Sequence, residues 1–104
     1  MIYKLKFTPS AQKDWDSLDN SVKQQLKKVL IKRLENPFIP KDRLYGTVVE
    51  AYKIKLITLG IRLIYTVVKN ELSLAVVAVG KRENDEVYES INKKLLDLPE
   101  SSLF

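Results

Sequence analysis

The apolar positions change period twice along the chain, and each change marks a new kind of element. In residues 2–7, Ile2, Leu5 and Phe7 are set among Lys4 and Lys6, which predicts a first strand. Thr8-Pro9 reads as a helix start, with Thr8 as N-cap and Pro9 at the first helical position. Ala11, Trp15 and Leu18 then fall at i, i+4 and i+7, one face of a short helix. Asp19-Asn20-Ser21 breaks that helix and offers a second cap. Val22, Leu26, Val29, Leu30 and Leu34 mark a longer helix with Lys23, Lys27, Lys28 and Lys32 on its other faces, and Pro37 ends it because the residue before a proline avoids helical angles. Residues 36–46 read as loop.

Beyond that loop the period becomes two. Tyr52, Ile54 and Leu56 face one way and Lys53 and Lys55 the other; Thr58-Leu59-Gly60 turns the chain. Ile61, Leu63, Tyr65 and Val67 form the next apolar face with Arg62 opposite. Lys69-Asn70 turns again, and Leu72 to Val79 is a nearly continuous apolar run, as a central strand would be. Gly80 interrupts it. Asn84 or Asp85 offers the cap of a last helix carrying Val87, Ile91 and Leu95, closed by Leu98-Pro99, and the tail to Phe104 is expected to be loose. The order is β-α-α-β-β-β-α. Helices segregated from an antiparallel meander make the class α+β, with an antiparallel sheet and the N-terminal helical hairpin packed on one face.

The hairpin spacing makes a site hypothesis. If Thr58-Leu59 is a two-residue loop, Lys55 falls directly opposite Arg62 and Lys53 opposite Ile64, so three cations share one sheet face. Like charges directly opposite each other on a sheet are destabilising, and a fold that tolerates them usually has an anion to put there. Treating Lys69-Asn70 as a two-residue turn sets Val68 opposite Glu71 and puts Lys81, not Arg82, on the Arg62 face. A bulge at Gly80 reverses that assignment, and parity alone leaves both open.

Composition narrows the chemistry. The 104 residues suit one domain and carry 18 Lys plus Arg against 13 Asp plus Glu, a net charge of +5. With no Cys there are no disulfides, thiolate catalysis or Cys-held metal; with no His, imidazole triads and acid–base pairs are excluded. No stretch approaches the roughly 18–20 apolar residues of a membrane span, and the N-terminus alternates instead of forming a signal core, so a cytoplasmic protein is expected. The whole net charge lies between Tyr52 and Arg82, where Lys53, Lys55, Arg62, Lys69, Lys81 and Arg82 meet only Glu71. Such a block suits a polyanionic partner, or else is a solvated sheet face with lysines for solubility.

Tyr52-Lys53-Ile54-Lys55-Leu56, then Gly60-Ile61-Arg62-Leu63-Ile64-Tyr65, then Val79-Gly80-Lys81-Arg82-Glu83 and Val87-Tyr88 together resemble the RelE toxin family of bacterial type II toxin–antitoxin systems. The N-terminal helices, Glu35…Pro37 and Leu44…Gly46 carry the same likeness, which covers residues 1–96 with a small insertion near Thr47–Glu50; residues 97–104 are a C-terminal tail without counterpart. The resemblance implies a microbial-ribonuclease-like fold and an endonuclease that cuts messenger RNA in the ribosomal A site, beside 16S rRNA, until a cognate RelB-like antitoxin silences it. It implies a catalytic set of Lys53, Lys55, Arg62, Arg82 and Tyr88, and neither cofactor nor metal. Tyr45 stands where the family can carry a basic residue, which bears on RNA docking more than on chemistry. Lys81, Lys27 and Lys28 are candidates for contact with RNA or ribosome.

The chemistry fits the residue types. Metal-free RNA cleavage uses the ribose 2′-OH as nucleophile and needs a base for it, charge for the phosphorane oxygens and an acid for the leaving 5′ oxygen. A lysine inside a cationic cluster has a depressed pKa, so Lys55 or Lys53 is the candidate base. Arg62 is forked and permanently charged, suited to the phosphate. Arg82 suits the leaving oxygen by charge but is a poor proton donor. Tyr88 is suited to stacking on a base or contacting phosphate. Such a site lacks an acid–base group tuned near neutral pH, and a partner that holds the RNA in line would supply much of the rate. By contrast Trp15, Tyr52 and Tyr65 read as core. Two other classes remain: a ParE-type toxin that inhibits DNA gyrase, and a non-catalytic basic module that docks nucleic acid.

Overall fold

The computed structural model describes residues 2–44 and 50–81. Strand β1 (Lys4–Phe7) leads into α1 (Pro9–Asp16) and α2 (Asn20–Glu35); β2 (Arg43–Leu44), β3 (Ala51–Leu56), β4 (Ile61–Val68) and β5 (Ser73–Lys81) follow. The five strands form one sheet in the order β1-β5-β4-β3-β2. The meander β3 to β5 is antiparallel as expected, β2 extends it antiparallel at one edge, and β1 joins its other edge by pairing in parallel with β5.

The local signals act as read. Thr8 caps α1, its hydroxyl accepting from the Ala11 amide at 3.2 Å, with Pro9 in the first turn. Asp19 precedes α2 in an extended conformation but makes no side-chain cap bond. Asn36 is extended, φ −150°, as the residue before a proline must be, and α2 stops at Glu35. Ala11, Trp15, Leu26, Leu30 and Leu34 pack on Tyr52, Ile54, Leu63, Tyr65, Leu74 and Val76, so both helices cover one face of the sheet and form the core there. Phe7 and Trp15 meet ring to ring at 5.2 Å.

Three expectations are corrected. The stretch 36–46 is not all loop: Pro40–Asp42 forms a 3-10 turn and Arg43–Leu44 pairs with Ala51 and Tyr52 as an edge strand. The β4–β5 connection is not a two-residue turn. Lys69–Glu71 coils into a 3-10 turn and Leu72 closes it with φ 53°, so Val68 faces Ser73 and Glu71 is unpaired in the ladder. The bulge is not at Gly80 either. The register slips opposite Ile64 and Tyr65, which pair with Ala78 and Val76 and leave Val77 over. That slip reverses the parity beyond it: Arg62 faces Gly80, and Lys81 faces Ile61 on the side of the helices. The last helix expected from Asn84 or Asp85, the Tyr45-Gly46 stretch and the 97–104 tail lie outside the described residues.

Candidate active site

The β3–β4 hairpin builds the site. Ile57 to Gly60 is a tight turn closed by the Gly60 amide on the Ile57 carbonyl at 3.2 Å. Gly60 holds φ +66°, open to glycine without steric cost. This turn fixes the register, and the observed pairs are the expected ones: Lys55 opposite Arg62 and Lys53 opposite Ile64. Side chains alternate along a strand, so Lys53, Lys55 and Arg62 share the face away from the helices. Gly80, which has no side chain, stands directly opposite Arg62 on β5.

The three cations differ in setting. Lys55 is exposed, Lys53 half-buried and Arg62 only 5% exposed. The Arg62 guanidinium donates a single long bond, Nη1 to the Ile61 carbonyl at 3.4 Å, and no carboxylate among the described residues pairs with it. Among the described residues no buried side-chain nitrogen or oxygen lacks a partner, so the remaining Arg62 nitrogens keep contact with solvent. A guanidinium held this way is a candidate site for an anion. The Lys55 amine is pushed below the ordinary lysine pKa, first by Lys53 within hydrogen-bonding reach, then by the Lys53 charge, slight desolvation and the Arg62 charge; Asp42 opposes weakly. A cleft of about 230 Å³ opens beside Lys55, lined by Gln25, Leu56, Ile57, Thr58 and Leu59.

Asp42 is occupied elsewhere. Its Oδ2 accepts from Arg33 Nη2 at 2.6 Å, and Arg33 Nη1 also donates to Tyr65 Oη at 2.9 Å and to the Lys53 carbonyl at 3.4 Å. Tyr65 in turn donates to the Pro37 carbonyl at 2.7 Å. From the helix side, then, Arg33 ties α2 and the 3-10 turn to the backbone of β3 at Lys53. Sequence reading passed over Arg33; its signal is position, since it continues the core-facing Leu26 and Leu30 stripe of α2 where another leucine would be ordinary.

Lys27 and Lys28 are exposed on α2, across the sheet from the three cations, and Lys81 lies on the helix side. The structure does not bring these three into the cluster. Arg82 and Tyr88 lie outside the described residues. Among the described residues no group of three or more His, Cys, Asp or Glu is placed to hold a metal ion, and no helix is long and apolar enough to cross a membrane.

The sequence matches the ParE toxin of the parDE type II toxin–antitoxin system over residues 5–86. It is 43% identical to the mRNA interferase toxin RelE of Escherichia coli K12 over 96 residues, 92% of this chain and all of that one. The mRNA interferase RelE of Shigella flexneri matches equally, at 43% over 96 residues. Among solved structures, a free double-arginine mutant of Escherichia coli RelE superposes with a TM-score of 0.81 at 41% identity, covering 91% of this chain and 99% of that one. The toxin in the intact Escherichia coli RelBE toxin–antitoxin complex superposes at 0.73 with 42% identity, over 76% and 95% of the two chains. With an N-terminal helical pair on a meander sheet and this cationic face, the chain belongs to the RelE/ParE superfamily of type II toxin–antitoxin toxins, on its RelE-like side.

Proposed function

We propose that this toxin is a ribosome-dependent endoribonuclease that cuts messenger RNA in the A site and so stops translation. The observation that carries the reading is the buried Arg62 guanidinium, without a carboxylate among the described residues, directly across from Lys55. The relatives named as mRNA interferases support it.

In the reaction the ribose 2′ oxygen bonds to the adjacent phosphorus, the bond from phosphorus to the 5′ oxygen breaks, and a 2′,3′-cyclic phosphate forms. Lys55, its pKa lowered first by Lys53 and also by the Arg62 charge, takes the 2′-OH proton. Arg62 holds the phosphorane oxygens where negative charge gathers, with Lys53 beside it. The departing 5′ oxygen takes a proton from water; the family resemblance assigns Arg82 the charge beside that oxygen and Tyr88 a base or the phosphate. The cations supply the charge a metal would otherwise bring. The ribosome holds the RNA in line, a contribution worth roughly 7–11 kcal/mol in well-oriented reactions. Lys27, Lys28 and Lys81, away from the cluster, rest on ribosomal RNA backbone. Residues 1–96 act as one unit in the cytoplasm, where the ribosomes are. A RelB-like antitoxin is the partner, in keeping with the RelBE toxin–antitoxin complex among the similar structures, and it covers the basic face with acidic groups.

The test is cleavage of a defined messenger RNA by the purified chain, with and without ribosomes holding an empty A site, beside Arg62→Gln and Arg82→Ala. Cuts at the A-site codon that need ribosomes and fall at least about 100-fold in both variants are expected for loss of a transition-state charge contact. No cleavage under either condition overturns the reading and leaves the gyrase-directed, ParE-type alternative. Cleavage of free RNA at equal rate keeps the nuclease and removes the ribosome.

A further inference from the structure

We propose that Lys55 is a modification site for acyl phosphates, whose phosphate group docks on Lys53 and Arg62 while the Lys55 amine takes the acyl group. Three observations place the parts. Lys55 is directly opposite Arg62 and two residues from Lys53 on the same face, so a phosphate held by those two cations sets its acyl carbon next to the Lys55 nitrogen. Arg62 has nitrogens in contact with solvent and no carboxylate among the described residues, which is what an incoming phosphate needs. Lys55 itself is exposed, so its amine is open to a reagent arriving from solvent.

The direction of the Lys55 pKa shift supports the chemistry, since a lowered pKa leaves more free amine at neutral pH than an ordinary surface lysine has. The amine lone pair attacks the acyl carbon and a C–N bond forms. The bond from that carbon to the phosphate oxygen breaks, inorganic phosphate leaves, and the proton lost by nitrogen goes to water. The product is an uncharged amide that can neither accept a proton nor hold phosphate. Acylation therefore switches the toxin off, a consequence that rests on the endoribonuclease reading, whereas the acylation itself rests only on the cluster.

The probe is acetyl phosphate with the full chain, followed by mass spectrometry of each lysine over time. Lys55 is expected to acetylate about tenfold faster than Lys27 and Lys28, because docking raises the local concentration of the reagent. Inorganic phosphate slows Lys55 and spares the helix lysines. N-hydroxysuccinimidyl acetate, which carries no phosphate, shows a smaller preference, and Arg62→Gln brings Lys55 toward the helix rate. Equal rates at Lys55 and the helix lysines, or a Lys55 rate indifferent to inorganic phosphate, overturn the proposal even if Arg62→Gln fails to fold. A chain that acetylates as expected but never cuts RNA before treatment supports the acylation and sinks the nuclease reading. Undiminished cleavage by the Lys55-acetylated chain removes the switch.

Discussion

Gly60 and Leu72 occupy the same left-handed region of backbone space, at φ 66° and φ 53°, and only the glycine is suited to it. A Cβ at position 60 would meet nothing within 4 Å, so the cost of Gly60→Ala is purely conformational, about 1 kcal/mol. Leu72 already carries that cost and is half exposed. Leu72→Gly is therefore expected to stabilise the protein by about 0.5–1 kcal/mol, and paired thermal melts of the two variants should move in opposite directions. At Lys55 the expected effect is on rate. A base must be neutral, so cleavage rises with pH until Lys55 has lost its proton and then levels off, with the rising limb below the ordinary lysine value of 10.5. Lys53, Arg62 and Asp42 are the charged groups that set that limb, and Lys53 is the largest. Lys53→Met should move the limb to higher pH in single-turnover profiles; an unmoved limb would show that another group is the base. The Lys55–Arg62 pairing was legible because a two-residue turn dictates register. The left-handed Leu72 was not, because nothing about leucine announces φ above zero.

At the scale of elements, one guanidinium joins four of them. Arg33 from α2 reaches Asp42 in the 3-10 turn, the Lys53 carbonyl on β3 and Tyr65 on β4, with its own side chain 12% exposed. Removing it leaves Asp42 and the Tyr65 oxygen short of a donor, and Arg33→Met should cost about 2–4 kcal/mol in urea unfolding. Tyr65 and Tyr52 lie stacked at 5.5 Å beside this network. Both phenols are pushed above the ordinary value of 10.0 chiefly by burial; the Glu50 carboxylate adds to the shift of Tyr52, and Arg33 works against that of Tyr65. The folded state thus prefers both protonated, while the unfolded chain ionises them from about pH 10. Stability should fall as pH rises past 10, and tyrosinate absorbance from these two should appear only with unfolding. The helices and three long strands were legible from period. The edge strand Arg43–Leu44 was not, since two residues carry no period, and the β5 bulge was not, since Ala75 to Val79 is apolar on both sides of the slip.

For the whole molecule, the positive block of the sequence divides when folded. Lys69 lies over the Phe38 ring at 5.6 Å and Lys81 pairs with Ile61, both apart from the cluster. Lys53, Lys55 and Arg62 remain together, while the nearby acids are engaged by other cations: Glu71 by Lys6 at 2.7 Å, Asp42 by Arg33 at 2.6 Å, and Glu50 by Arg43 at 3.8 Å. The charge pattern located the excess, but only the fold shows that, of the five described basic residues in that block, Lys53, Lys55 and Arg62 share a surface. This division sets a salt dependence. Each phosphate neutralised on a single strand releases counterions, so three contacts give a slope of about −2 in log affinity against log salt. Binding of a short single-stranded RNA to the isolated chain should show at least that slope. Arg62→Gln should lower it by about 0.7, and Lys69→Gln should leave it unchanged. An equal loss in both variants would mean that RNA responds to the net charge of +5 and not to the cluster, and the phosphate site on β3 and β4 would have to be given up.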